Sequence, residues 1–143
     1  MIDVGGKPAV RRVATARGRL KLKRTTLSAV RAGRIKKGDV LEVSRVAAVQ
    51  AVKRTPEILP LCHPIPLEGI DVKVRAGASH LEVEVRVSAH WKTGVEMEAL
   101  VGAAAALLTA WDMTKYLEKD KDGQYPSTVI EAIRVVSKQK GGA

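Results

Sequence analysis

The sequence predicts an α+β fold of the ferredoxin-like kind, with element order βαββαβ and a four-stranded antiparallel sheet carrying two helices on one face. Three observations lead there. Ile70, Val72 and Val74 alternate with Asp71, Lys73 and Arg75, and Leu81, Val83, Val85 and Val87 alternate with Glu82, Glu84 and Arg86 across the turn Ala76-Gly77-Ala78-Ser79. That alternation marks a hairpin with one buried and one wet face. Helical patterns stand on both sides of the hairpin, and an extended stretch lies outside each of them.

Taken in order, residues 1 to 9 contain Gly5, Gly6 and Pro8 and read as an irregular, flexible arm. From Val10 to Leu22 short apolar residues are separated by Arg and Lys, which predicts a basic strand broken near Gly18. Thr25 to Ala32 suits a short helix ended by Gly33. Asp39 with Glu42 forms a capping box for a helix to Arg54, in which Val40, Val43, Val46 and Ala47 recur at helical spacing. Lys53 and Arg54 close that helix, where cations suit the negative end of its dipole.

After the hairpin, Thr93-Gly94-Val95-Glu96 reads as a second capping box, opening the longest helix, which runs to about Lys119. Its apolar face is expected to comprise Met97, Leu100, Val101, Ala104, Leu107, Leu108 and Trp111. Thr128 to Lys138, apolar and β-branched, predicts the last strand.

The length of 143 residues and a 45% hydrophobic content are those of a single domain, 1–143, with a core that needs no disulfide. No run approaches a membrane span, Met1 to Gly6 lacks the apolar core of a signal peptide, and there is a single cysteine, so a cytoplasmic protein is expected. Lys and Arg number 25 against 15 Asp and Glu, a net charge of +10 that implies an anionic partner. Phe is absent and Trp and Tyr number two each, a poor supply for stacking nucleic-acid bases, so a phosphorylated small molecule is the better fit.

Two places are candidates for chemistry. Pro60, Pro64 and Pro66 stiffen the apolar segment Leu59 to Leu67 around Cys62 and His63, leaving little entropy for a ligand to remove. Lys53 and Arg54 stand just before it, where they can face a phosphate. Cys62 with His63 as its base is disfavoured, because neighbours on an extended strand point to opposite sides. These two residues also lack the second spaced pair of a metal site, and no metal is expected.

The other place is Asp112 with Lys115, three residues apart on one helical face beside Trp111 and Met113, a proton-transfer pair if partly desolvated. Glu98 and Asp112 belong to the same helix, fourteen residues apart, so their backbones lie roughly 21 Å from each other. A small substrate that uses both ends must therefore be shared between subunits, which predicts an obligate oligomer.

The segments Lys53-Arg54-Thr55, Leu61-Cys62-His63-Pro64, Lys92 to Leu100, Leu108-Thr109 and Asp112-Met113 with Lys115 together resemble the molybdenum cofactor biosynthesis protein C family. Asp3-Val4 and Lys37-Gly38-Asp39 are also similar to that family, so the resemblance spans nearly the whole chain. It implies a homohexamer, a trimer of dimers with active sites at the dimer interface. The implied activity is that of cyclic pyranopterin monophosphate synthase, which converts 3′,8-cyclo-7,8-dihydroguanosine 5′-triphosphate to cyclic pyranopterin monophosphate and pyrophosphate. It also implies no cofactor, leaving open only Mg²⁺ as escort of the triphosphate, and no nucleic-acid or membrane partner.

By the same resemblance Asp112 and Lys115 would be catalytic, and Leu61, Cys62, His63, Met97 and Glu98 would form the substrate pocket. Lys37 and Lys53 would approach the triphosphate. Trp111 and Tyr116 depart from the family's usual Tyr and small residue at those positions. The competing classes are a basic RNA-binding module of the same fold and a family member that has lost activity.

Overall fold

A computed structural model describes residues 1–141. The elements are β1 (Val10–Lys21), α1 (Arg24–Arg31), α2 (Val40–Lys53), α3 (Thr55–Ile58), β2 (Leu67–Ala76), β3 (His80–Trp91), α4 (Glu96–Glu118) and β4 (Val129–Gly141). The sheet order is β2-β3-β1-β4 and every neighbouring pair is antiparallel. This is the expected ferredoxin-like order, to which α1 and the single turn α3 are added. Pro56 in the first turn of α3 has no N–H to lose there, which is why Thr55-Pro56 can start a turn rather than only end a helix.

One face of the sheet, with Ala14, Ala16 and Leu20 of β1 and Leu81, Val83, Val85, Val87 and Ala89 of β3, is sealed from solvent. Helix α4 lies against β1, β3 and β4, and α2 lies against α4 and β2. The other face is wet and carries cross-strand pairs, among them Arg17 with Glu84 at 2.6 Å and Arg19 with Glu131 at 3.2 Å. Such exposed, solvent-screened pairs contribute little, so stability rests on the helix-covered side. No described helix is long and apolar enough to cross a membrane.

The helices do not bury the faces their large apolar residues suggested. In α2 the buried positions are Val40, Ser44, Ala48 and Val52, while Val43 and Val46 stay exposed. In α4 they include Ala99, Gly102, Ala103, Ala106, Leu107, Ala110 and Met113, whereas Met97 and Leu108 are exposed. Small side chains line the α2–α4 contact because the backbones come that close. A Cβ added at Gly102 would lie 2.6 Å from Val52 Cγ2 and 3.2 Å from Val85 Cγ1.

Two further expectations are corrected. β1 is not broken at Gly18; the strand runs through, and only its pairing to β4 slips, between Thr15 and Ala16 and between Arg17 and Arg19. Leu107 of α4 fills the space that a Gly18 side chain would take. The Thr93–Glu96 capping box does not form, since α4 starts at Glu96 without a side-chain cap and the Glu96 carboxylate folds back across Gly94. Asp39 does cap α2, accepting from the Glu42 N–H at 3.1 Å.

At its other end α4 is tied down by Glu118, which is fully buried. Its carboxylate accepts from the Thr26 hydroxyl of α1, the Thr128 hydroxyl at 2.7 Å and the Lys23 N–H at 3.2 Å. A buried carboxylate is tolerable only with such donors.

Gly102→Val is expected to lower stability by about 3 kcal/mol, read as a shifted denaturation midpoint, because neither Val52 nor Val85 has space to retreat. An unchanged midpoint would refute the close α2–α4 approach.

Candidate functional site

Where the proline segment passes the start of α4, a cleft of about 610 Å³ opens. The proline segment supplies Leu61, Cys62, His63 and Ile65; α4 supplies Glu96, Met97 and Glu98; the preceding loop supplies Lys92, Thr93 and Gly94. Arg12 of β1, Lys138 and Lys140 of β4 and the arm residues Ile2, Val4, Lys7 and Pro8 complete the lining. Sheet register makes this convergence: Arg12 pairs with Lys140, and Lys138 and Lys140, two apart, share a strand face. The irregular arm is held there by the Lys92 ammonium, which donates to the Gly5 carbonyl at 3.1 Å.

Five cations and two carboxylates give the cleft an excess of positive charge beside a buried carboxyl. Glu98 is only 3% exposed. Burial, and then the charge of Glu96, raise its pKa above the usual carboxylate range. Burial pushes Glu96 the same way, but its hydrogen bond to Lys138 at 2.6 Å, its own backbone N–H and the charges of Lys138 and Arg12 outweigh that and hold it low. Two neighbouring carboxylates thus differ in proton affinity, which suits one to hold a proton and the other to remain charged. The Cys62 thiol is raised by burial and by Glu98, which disfavours a thiolate nucleophile.

The second cluster lies towards the far end of α4. Asp112 Oδ2 accepts from Lys37 at 2.9 Å and Oδ1 from Lys115 at 3.1 Å, so one carboxylate bridges two ammoniums. Lys37 also donates to the Asp112 carbonyl at 3.1 Å. Lys37 first and Lys115 second pull the Asp112 pKa down, and Asp112 raises that of Lys115. The desolvation expected beside Trp111 and Met113 is absent in a single chain, where the Asp112 and Lys115 side chains are 56% and 42% exposed. Trp111 instead stacks edge-on against Tyr125, with centroids 5.2 Å apart.

Residues 1–141 match the MoaC family. A protein of Aeropyrum pernix, named "Probable cyclic pyranopterin monophosphate synthase", is 55% identical over 141 residues, covering 99% of this chain and 97% of that protein. One of the same name from Thermococcus kodakarensis is 53% identical, covering 99% and 90%. A third, from Methanothermobacter thermautotrophicus, is 53% identical, covers 98% and 88%, and is named "Probable cyclic pyranopterin monophosphate synthase accessory protein". The chain belongs to the MoaC family.

Within this MoaC chain the candidate residues fall into three groups. Leu61, Cys62, His63, Met97 and Glu98 meet in the cleft. Lys37, Asp112 and Lys115 form the second cluster. Lys53 is exposed and belongs to neither. Lys37 and Lys53 therefore do not converge on one phosphate within a single chain, because the 14-residue α2 runs between them, about 20 Å long. The sequence reading missed the cleft cations Arg12, Lys92, Lys138 and Lys140. The one signal for them was the alternation Lys138-Gln139-Lys140 at the end of the last strand. His80, by contrast, bonds Glu131 at 2.8 Å on the sheet, outside the cleft.

The raised Glu98 pKa makes a stability prediction. The unfolded chain ionises this carboxyl first, so its contribution is complete below the unfolded value and is lost as pH rises through the folded one. Glu98→Gln, which never ionises, should gain Tm relative to wild type between about pH 4 and pH 7. A constant difference across that range would show that Glu98 does not titrate as the geometry requires.

Proposed function

We propose that this chain works as a cyclic pyranopterin monophosphate synthase in molybdenum cofactor biosynthesis, converting 3′,8-cyclo-7,8-dihydroguanosine 5′-triphosphate to cyclic pyranopterin monophosphate and pyrophosphate. Family membership and the names of relatives above 50% identity support the activity. The observation that carries the mechanism is the division of the site between the two ends of α4. The cleft offers cations for a triphosphate and a protonatable Glu98. The other end offers a charged Asp112 between Lys37 and Lys115.

The reading that joins them is a dimer interface at which the cleft of one subunit meets the Asp112 cluster of its partner. Exposed Val43, Val46, Ile58, Leu61, Met97 and Leu108 give apolar surface for such an interface. Three dimers would then form the homohexamer, with the cytoplasm as its compartment. In the closed site Lys115, ion-paired and protonated, donates to a ring nitrogen as the purine opens and recovers the proton as the pterin closes. Asp112 stabilises that charge and orients the ammonium. His63 and Glu98 hold polar groups of the substrate, and the cleft lysines with Arg12 offset the charge that develops on departing pyrophosphate. The rearrangement needs no oxidant, and Mg²⁺ on the triphosphate would supplement these cations.

Two experiments test this. Wild type incubated with the cyclised triphosphate should yield a pterin, fluorescent after oxidation, and Lys115→Ala should lose at least about a hundredfold in kcat while keeping its oligomer mass. No turnover by folded wild type would remove the synthase reading. Mixing the inactive Lys115→Ala and His63→Ala chains in equal amounts and letting subunits exchange should restore about a quarter of wild-type turnover, since half the dimers are mixed and each then holds one intact site. No recovery despite demonstrated exchange would place the whole site in one chain.

A further inference from the structure

Tyr116, one turn after Asp112 on α4, lies outside the roles assigned above, and its phenol faces the turn between α1 and α2. The Lys36 backbone N–H donates to the Tyr116 hydroxyl at 3.0 Å, and the Lys36 ammonium stands 5.3 Å above the centre of the ring. The next residue is Lys37, whose ammonium reaches Asp112. On either side the turn is fixed by other means. Ile35 is buried, and the Gly38 N–H donates to the Ile35 carbonyl at 3.1 Å with a φ of +118° that disfavours any side chain. Lys36 and Lys37 themselves are exposed, with long side chains whose rotamer freedom opposes any single placement.

We propose that Tyr116 is a positioning residue, pinning the Lys36 backbone so that Lys37 is delivered to Asp112 and one carboxylate is held between two ammoniums. The inference rests on the catalytic reading of Asp112 given above. Its chemistry is simple. The phenol oxygen gives an exposed N–H an acceptor that competes with water, and the ring face attracts the Lys36 ammonium away from the carboxylate. Two adjacent lysines on one turn could both seek Asp112. Tyr116 occupies the first and leaves the carboxylate to the second. The charged groups facing Asp112 are then Lys37 from the turn and Lys115 from its own helix, with Tyr125 beside Lys115.

The test reads Asp112 directly, by carbon NMR of its labelled carboxyl in the intact oligomer, alongside kcat and KM. In Tyr116→Phe, which keeps the ring and loses the acceptor, Asp112 should titrate at higher pH than in wild type. Its kcat should fall about fivefold, the share one neutral hydrogen bond can hold, with KM changed less. In a Lys37→Ala background the same substitution should move neither the Asp112 titration nor kcat further, because the residue it positions is gone. A wild-type titration in Tyr116→Phe, or an equal shift in the Lys37→Ala background, overturns the proposal. The titration decides this even if wild type shows no turnover, an outcome that would count against the synthase reading alone.

Discussion

The close approach of α2 and α4 over the sheet is the constraint on which the rest of the structure depends. It is closest at Gly102, which faces Val52 and the Ala48 carbonyl of α2. The buried residues of the two helices are mostly small: Ser44 and Ala48 in α2, Ala99, Gly102, Ala103, Ala106 and Ala110 in α4. Close packing recovers in dispersion what small side chains lack in transfer free energy. It also fixes α4 across the sheet, with Gly18 admitting Leu107 and Glu118 fastening the C-terminal end.

That helix determines where the candidate residues stand. Its N-terminal turn carries Glu96 and Glu98 into the cleft beside His63, and its last turns carry Asp112 and Lys115 to the turn that bears Lys37. A rigid helix of 23 residues cannot bend to bring these together. Using small residues inside also leaves large apolar ones, notably Leu108 and Val43, on the outside. The packing that separates the two clusters thus also leaves apolar side chains exposed.

Electrostatics divide the two halves in character. In the cleft, burial and a neighbouring charge raise Glu98 while Lys138 keeps Glu96 ionised. At the Asp112 cluster nothing is buried, and hydrogen bonds to Lys37 and Lys115 dominate instead. The +10 net charge is not spread evenly in its consequences. On the wet sheet face arginines such as Arg17 and Arg19 are neutralised by Glu84 and Glu131, whereas in the cleft Lys138 is the cation with a carboxylate partner among the described residues.

By itself the sequence determined what depends on local pattern. The alternation around Val72 and Val85 specified the hairpin, Asp39 and Glu42 specified the start of α2, and the helix spacing from Glu98 to Asp112 specified their separation, since strand period, capping and helical rise are properties of a short stretch of chain. Tertiary structure alone decided which helix face was buried, because a stripe of alanine and glycine looks weakly apolar until the partner helix is near enough to need it. It alone placed Arg12 beside Lys140 and Lys37 against Asp112, pairs 128 and 75 residues apart in sequence, for these follow from strand register and from the turn before α2. Contacts of that range have no local signature, and they are what turned a basic sequence into a cleft.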